Sequence, residues 1–191
     1  STAKSLELVR QAKLNGMKIT CEVTPHHLTL NEEACLGFDT NTKMKPPLRS
    51  EKDRKALVAA LRDGLIDCIA TDHAPHADFE KEREFDHAPF GITGFESAFA
   101  VLYDRLVTKG HLSLERLVEA MSIAPATLMN LGDKRISAGN PADLTIVDIN
   151  DLTELSPETT LSKAKNNPWM GKKLKGKVVK TLCRGRITWE A

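Results

Sequence analysis

The sequence predicts an α/β protein, and three observations carry that prediction. Helix-patterned and strand-patterned segments alternate through the first half of the chain. Two strand-like runs end in polar residues suited to a site, Thr24-Pro25-His26-His27 and Thr71-Asp72-His73-Ala74-Pro75-His76. After Leu131 the pattern changes to short β-rich runs separated by glycine and asparagine.

Residues 1–16 place Leu6, Val9 and Ala12 at helical spacing and close on Asn15-Gly16, and Lys18-Ile19-Thr20-Cys21-Glu22-Val23 follows as a strand. Ser50-x-x-Asp53 reads as a capping box for a second helix carrying Leu57, Ala60, Leu61 and Leu65. That helix leads into the strand Asp67-Cys68-Ile69-Ala70-Thr71. Repeated helix-strand units indicate parallel strands with crossover helices, an architecture whose chemistry lies beyond the carboxyl ends of the strands. A third helix puts Phe95, Ala98, Phe99, Leu102 and Leu106 on one face; a fourth, capped by Ser113, does the same with Leu114, Leu117, Val118 and Met121. Both stripes read as core. Residues 142–148 form a further strand, residues 178–189 a hairpin turning at Gly185, and the lysine-rich stretch 163–180 reads as a solvated loop.

Composition narrows the function classes. The 191 residues are 41% hydrophobic and 28% charged, the balance of a globular protein with a sizeable core. A net charge of +1 supplies no basic field for nucleic acid. No apolar run approaches the roughly 18 residues that cross a bilayer, so the expectation is a cytoplasmic protein. Cys21, Cys35, Cys68 and Cys183 lack the paired spacing of a thiolate zinc site and read as reduced, so any metal must use histidine and carboxylate.

Two loops carry candidate chemistry. One is Thr24-Pro25-His26-His27, where adjacent histidines point in different directions and read as satisfied by backbone partners. The other is Thr71-Asp72-His73-Ala74-Pro75-His76, where a carboxylate stands beside two imidazoles, a set suited both to Zn²⁺ and to proton transfer near neutral pH. Between them Lys43-Met44-Lys45-Pro46-Pro47-Leu48-Arg49 forms a stiff loop of three cations able to hold a substrate carboxylate. His87 and His111 carry no pattern.

At these residues, together with Cys21-Glu22-Val23-Thr24-Pro25-His26-His27-Leu28 and Ala88-Pro89-Phe90-Gly91-Ile92, the sequence resembles the dihydroorotase family in its bacterial type I subgroup, within the amidohydrolase superfamily. The resemblance implies the C-terminal part of a (β/α)₈ barrel over residues 1–131 and part of a small β-sandwich over residues 132–191. It implies one or two zinc ions and reversible hydrolysis of the cyclic amide of dihydroorotate to N-carbamoyl-aspartate in pyrimidine synthesis. Asp72 matches the family's zinc-binding aspartate and general base and acid; His76, Phe90 and Gly91 match substrate-contacting positions. Lys45 stands where the family usually has a substrate-contacting asparagine. The family's other metal ligands lie upstream of the dipeptide that Ser1-Thr2 resembles, so the expectation is an incomplete barrel, inactive alone. The implied partners are a small-molecule substrate, the other half of the same barrel, a second copy in a homodimer, and aspartate transcarbamoylase. The alternatives are a hydantoinase- or allantoinase-like hydrolase and a silent scaffold homologue.

Overall fold

The first helix, α1 (Ala3–Leu14), starts where Thr2 and Ser5 satisfy one another's backbone N–H groups, Ser5 N donating to Thr2 Oγ1 at 3.1 Å and Thr2 N to Ser5 Oγ at 3.2 Å. The computed structural model describes residues 1–191. Near the end of α1, Lys13 Nζ reaches both carboxylate oxygens of Asp67 at 2.8 Å, and Asp67 also accepts the Cys21 N–H at 2.8 Å. One carboxylate thus fixes the end of α1 against the approaches to two strands.

Those strands are β1 (Glu22–Val23) and β2 (Cys68–Ile69), paired in parallel with Glu22 opposite Cys68 and Val23 opposite Ile69. They are shorter than the six- and five-residue runs predicted. Each has a single strand neighbour in this chain, and the ladder ends with the bonds Asp67 N to Cys21 O and Ala70 N to Val23 O. Beyond β1, Thr24 accepts the His27 N–H and Pro25 supplies the first helical φ, so the predicted histidine loop is a short helix, α2 (Pro25–Thr29). The next helix, α3 (Glu51–Arg62), is capped as predicted by Ser50, and Asp53 in its first turn accepts the Ala3 N–H at 2.8 Å.

After α4 (Asp78–Lys81), helix α5 (Ala98–Leu102) widens into a π turn over Tyr103–Val107; α6 (Leu114–Val118) does the same over Glu119–Ile123 before α7 (Ala124–Leu128). Leu57, Leu61, Ile66, Ile69, Leu102 and Leu117 form the core beneath the parallel pair. Phe95 and Val118, predicted to face it, are exposed.

The tail is a three-stranded antiparallel sheet in the order β3 (Leu144–Glu154), β4 (Lys173–Cys183), β5 (Arg186–Glu190). Arg184 and Gly185 both have positive φ, the two-residue turn that matches strand twist. The lysine-rich stretch is not a solvated loop: from Lys173 it is strand, exposing Lys173 and Lys175 while burying Leu174 and Gly176. Leu174 joins Ala100, Val101, Leu155 and Trp169 in a second core, and full burial of one such leucine stabilises by about 1.5–3 kcal/mol. Gly176, at φ +89°, lies so close to Tyr103 that a Cβ would sit 2.8 Å from its ring. No helix is long and apolar enough to cross a membrane.

Candidate functional site

Three residues past β2 the chain reaches Asp72, whose φ of +51° lies in the left-handed region, uncommon for a residue with a side chain and worth about 1–3 kcal/mol of strain. The turn presents its carboxylate on the surface. His73 then pairs with Ile92 in a parallel bridge, extended by Ala74 N donating to Ile92 O at 2.8 Å. His73 Nδ1 accepts the N–H groups of Gly94 (2.9 Å) and Phe95 (3.3 Å), which assigns its proton to Nε2. Its ring stacks on Phe95 with centroids 4.1 Å apart, which accounts for the outward position of that phenylalanine. His73 is thereby held as a brace for its own loop.

His76 faces the returning arm of the loop. Its Nε2 donates to Phe90 O at 2.9 Å, and its Nδ1 lies 3.7 Å from Glu80 Oε2. Gly91 follows at φ +122°, where a Cβ would sit 2.6 Å from Ala74 Cβ and 3.3 Å from His76 Nε2, so the two arms approach this closely only with glycine there.

The three cations of the loop at residues 43–49 have separate tasks rather than one shared charge. Lys43 is buried, and its ammonium donates to the carbonyls of Phe85, Asp86 and Ala88 at 2.6–3.0 Å while lying 4.7 Å from the Phe90 ring centroid. Arg49 donates to Ser1 Oγ. Lys45 alone is exposed, with Nζ 6.0 Å from the Phe90 centroid. A second buried ammonium, Lys81, donates to Pro89 O and Gly91 O at 3.0 Å each, and burial draws its pKa below the usual lysine range. The structure therefore brings Lys45, His76, Phe90 and Gly91 together around Phe90, with Asp72 at the head of the same loop.

Two residues absent from the sequence reading complete this arrangement. Asn166 and Asn167 are buried, and their amides bond to the backbone of residues 74–76 and 91–93 and to Ser97. A groove of about 440 Å³ separates residues 75–78 from residues 162–164, with His76 and Lys163 in its lining. Another, of about 380 Å³, lies among α2, α3 and His111 and shares no residue with this one.

His27 matches expectation: Nδ1 meets Thr24 Oγ1 at 2.7 Å and Nε2 donates to Pro46 O at 2.9 Å. His26 does not, because its Nε2 is buried with no partner. The four cysteines are unpaired. No three histidine, cysteine, aspartate or glutamate side chains gather where they could hold an ion. An exposed carboxylate held by a left-handed turn, as at Asp72, has the chemistry of a single oxygen ligand.

With that geometry established, three comparisons bear on identity. Residues 3–188 match the model of the family described as "Amidohydrolase family". The chain is 48% identical over 191 residues to a dihydroorotase of Endomicrobium trichonymphae and 49% identical over 190 residues to one of Staphylococcus epidermidis, in each case over 100% of this chain and 45% of the relative. It spans less than half the length of these relatives. Among solved structures it superposes on the L-hydantoinase (dihydropyrimidinase) from Arthrobacter aurescens with a TM-score of 0.92 at 32% identity, and on the dihydropyrimidinase from Brevibacillus agri with 0.90 at 26%. Each covers 100% of this chain and 43% of the other.

Proposed function

The chain belongs to the amidohydrolase family, and from that premise we propose that it forms part of a dihydroorotase, which opens the cyclic amide of dihydroorotate to N-carbamoyl-aspartate and closes it again. The observation that carries this reading is the 48–49% identity to dihydroorotases across the whole chain. In it, residues 1–131 contribute to a (β/α)₈ barrel and residues 132–191 to its small β-domain. The one-neighbour strands β1 and β2 leave edges at which a further region, of the kind that fills out the relatives' length, would continue the sheet.

Asp72 would be one ligand of zinc, which when bound supplies Lewis-acid polarisation of the amide and a more acidic water. Asp72 takes the proton of the attacking water and hands it to the ring nitrogen as the amide bond breaks, since nitrogen leaves poorly as an anion. His76 and the backbone at Phe90-Gly91 hold the ring, and Lys45 places a positive charge where the substrate carboxylate would lie. The ammonium is a point charge without a planar fork, so it attracts the carboxylate without fixing its rotation.

Asp72→Asn in the zinc-loaded enzyme tests the assignment: turnover is expected to fall at least about 100-fold. Turnover near that of the parent would end it. A hydantoinase-type activity is the second reading, favoured by the 0.92 TM-score to the Arthrobacter enzyme. Preference for hydantoin over dihydroorotate in direct competition would select it.

A further inference from the structure

Two side chains meet at the carbonyl of Gly91, one from ten residues before it and one from 75 residues after it. Lys81 Nζ donates to it at 3.0 Å and Asn166 Nδ2 at 3.1 Å. The same Asn166 amide gives its other N–H to Ala74 O at 2.9 Å and accepts the His76 N–H on Oδ1 at 3.1 Å. Asn166 is 3% exposed, so these bonds form where water does not compete.

We propose that Asn166 is a positioning residue for substrate recognition, setting the distance between His76 and the Phe90-Gly91 arm. The inference rests on the reading of those residues as substrate contacts. Two donors and one acceptor must lie in one plane to serve two carbonyls and one N–H, and only a carboxamide has that set. Aspartate would keep the bond to His76 N–H but turn a negative oxygen toward the carbonyls of Ala74 and Gly91. A hydrocarbon would leave all three backbone groups unpaired. The other ties between the arms, Ala74 N to Ile92 O, His76 Nε2 to Phe90 O and the Gly94 and Phe95 N–H groups to His73 Nδ1, each join one pair of positions, whereas Asn166 holds Ala74, His76 and Gly91 at once. Asn167 serves elsewhere, bonding to Thr93 O and to Ser97 Oγ before α5. The positioning of the arm therefore belongs to Asn166, with Lys81 as the second donor.

The test is steady-state kinetics of Asn166→Asp and Lys81→Met in the zinc-loaded enzyme, with whichever of dihydroorotate and hydantoin it turns over. Both variants are expected to raise KM about tenfold, or about 1.4 kcal/mol, to keep kcat within about threefold and to retain zinc. Hydrogen exchange across residues 73–92 should quicken in both. An unchanged KM, or loss of kcat and zinc together at constant KM, would overturn the inference. Use of hydantoin alone would defeat the dihydroorotase reading yet leave this one testable on that substrate. If neither amide reacts, exchange decides: unchanged protection of residues 73–92 rejects the clasp. Should Asn166→Asp fail to fold, Lys81→Met alone decides, by the same KM and exchange criteria.

Discussion

Acidification should weaken the fold through His26. This residue sits in α2 with 2% of its surface exposed, and its Nε2 has no partner. Burial, reinforced by the adjacent His27, lowers its pKa from 6.5 to about 3. The unfolded chain therefore binds a proton here as pH falls below 6.5, whereas the folded chain refuses one until about pH 3. Stability from this group is complete above 6.5 and is lost progressively down to about 3. Between about pH 7.5 and about pH 5 the loss is about 2 kcal/mol, at about 1.36 kcal/mol per pKa unit. Against a total of roughly 5–15 kcal/mol that is a large share. Urea unfolding of the parent and of His26→Leu at both pH values measures it. The leucine variant should resist acid better, the gap between the two widening by about 2 kcal/mol on acidification. The downward shift of His27 is common to both chains and cancels. A gap that stays constant across this range would refute the reasoning.

Two glycine substitutions probe the close approaches. Gly91→Ala puts a methyl 2.6 Å from Ala74 Cβ at a φ of +122°. The backbone and packing costs together reach about 2–6 kcal/mol, so the arms should separate and KM rise at least about tenfold; an unchanged KM counts against the site. Gly176→Ala puts its methyl 2.8 Å from the Tyr103 ring at φ +89°. Calorimetry should find Tm lower by roughly 5–15 °C, and a shift below about 2 °C would mean that β4 and the π turn are not tightly packed.

The helices were legible because their signals are local: the Ser50 cap and the spacing of Leu57, Ala60 and Leu61 lie within a dozen residues. Asp72, His76 and Gly91 were legible as residue types through family resemblance, yet not as geometry, because the left-handed φ of Asp72 stands beside the His73–Ile92 bridge, which joins segments about 20 residues apart, beyond the reach of a local pattern. The hairpin over residues 178–189 was legible, but the first half of β4, residues 173–177, was hidden by its own charge. Lys173, Leu174, Lys175 and Gly176 alternate with period two, but lysines on the outer face lower the mean hydropathy to that of a loop. Asn166 and Asn167 were hidden for a different reason: they bind mainly backbone groups, which every sequence contains and none advertises. The unpartnered nitrogen of His26 left no trace either, since its neighbour His27 carries the same letter and is fully satisfied.

The asparagine that holds His76 lies 90 residues further along the chain, and the bond to Ala74 spans 92. During synthesis the first half of the loop emerges long before its clasp, a delay of roughly 5–20 s at about 5–20 residues per second. Over that interval the nascent chain lacks the side chain that ties residues 74–76 to Gly91. A message cut short ahead of the codon for Asn166 would then yield a polypeptide whose residues 74–76 lack their bonds to that amide.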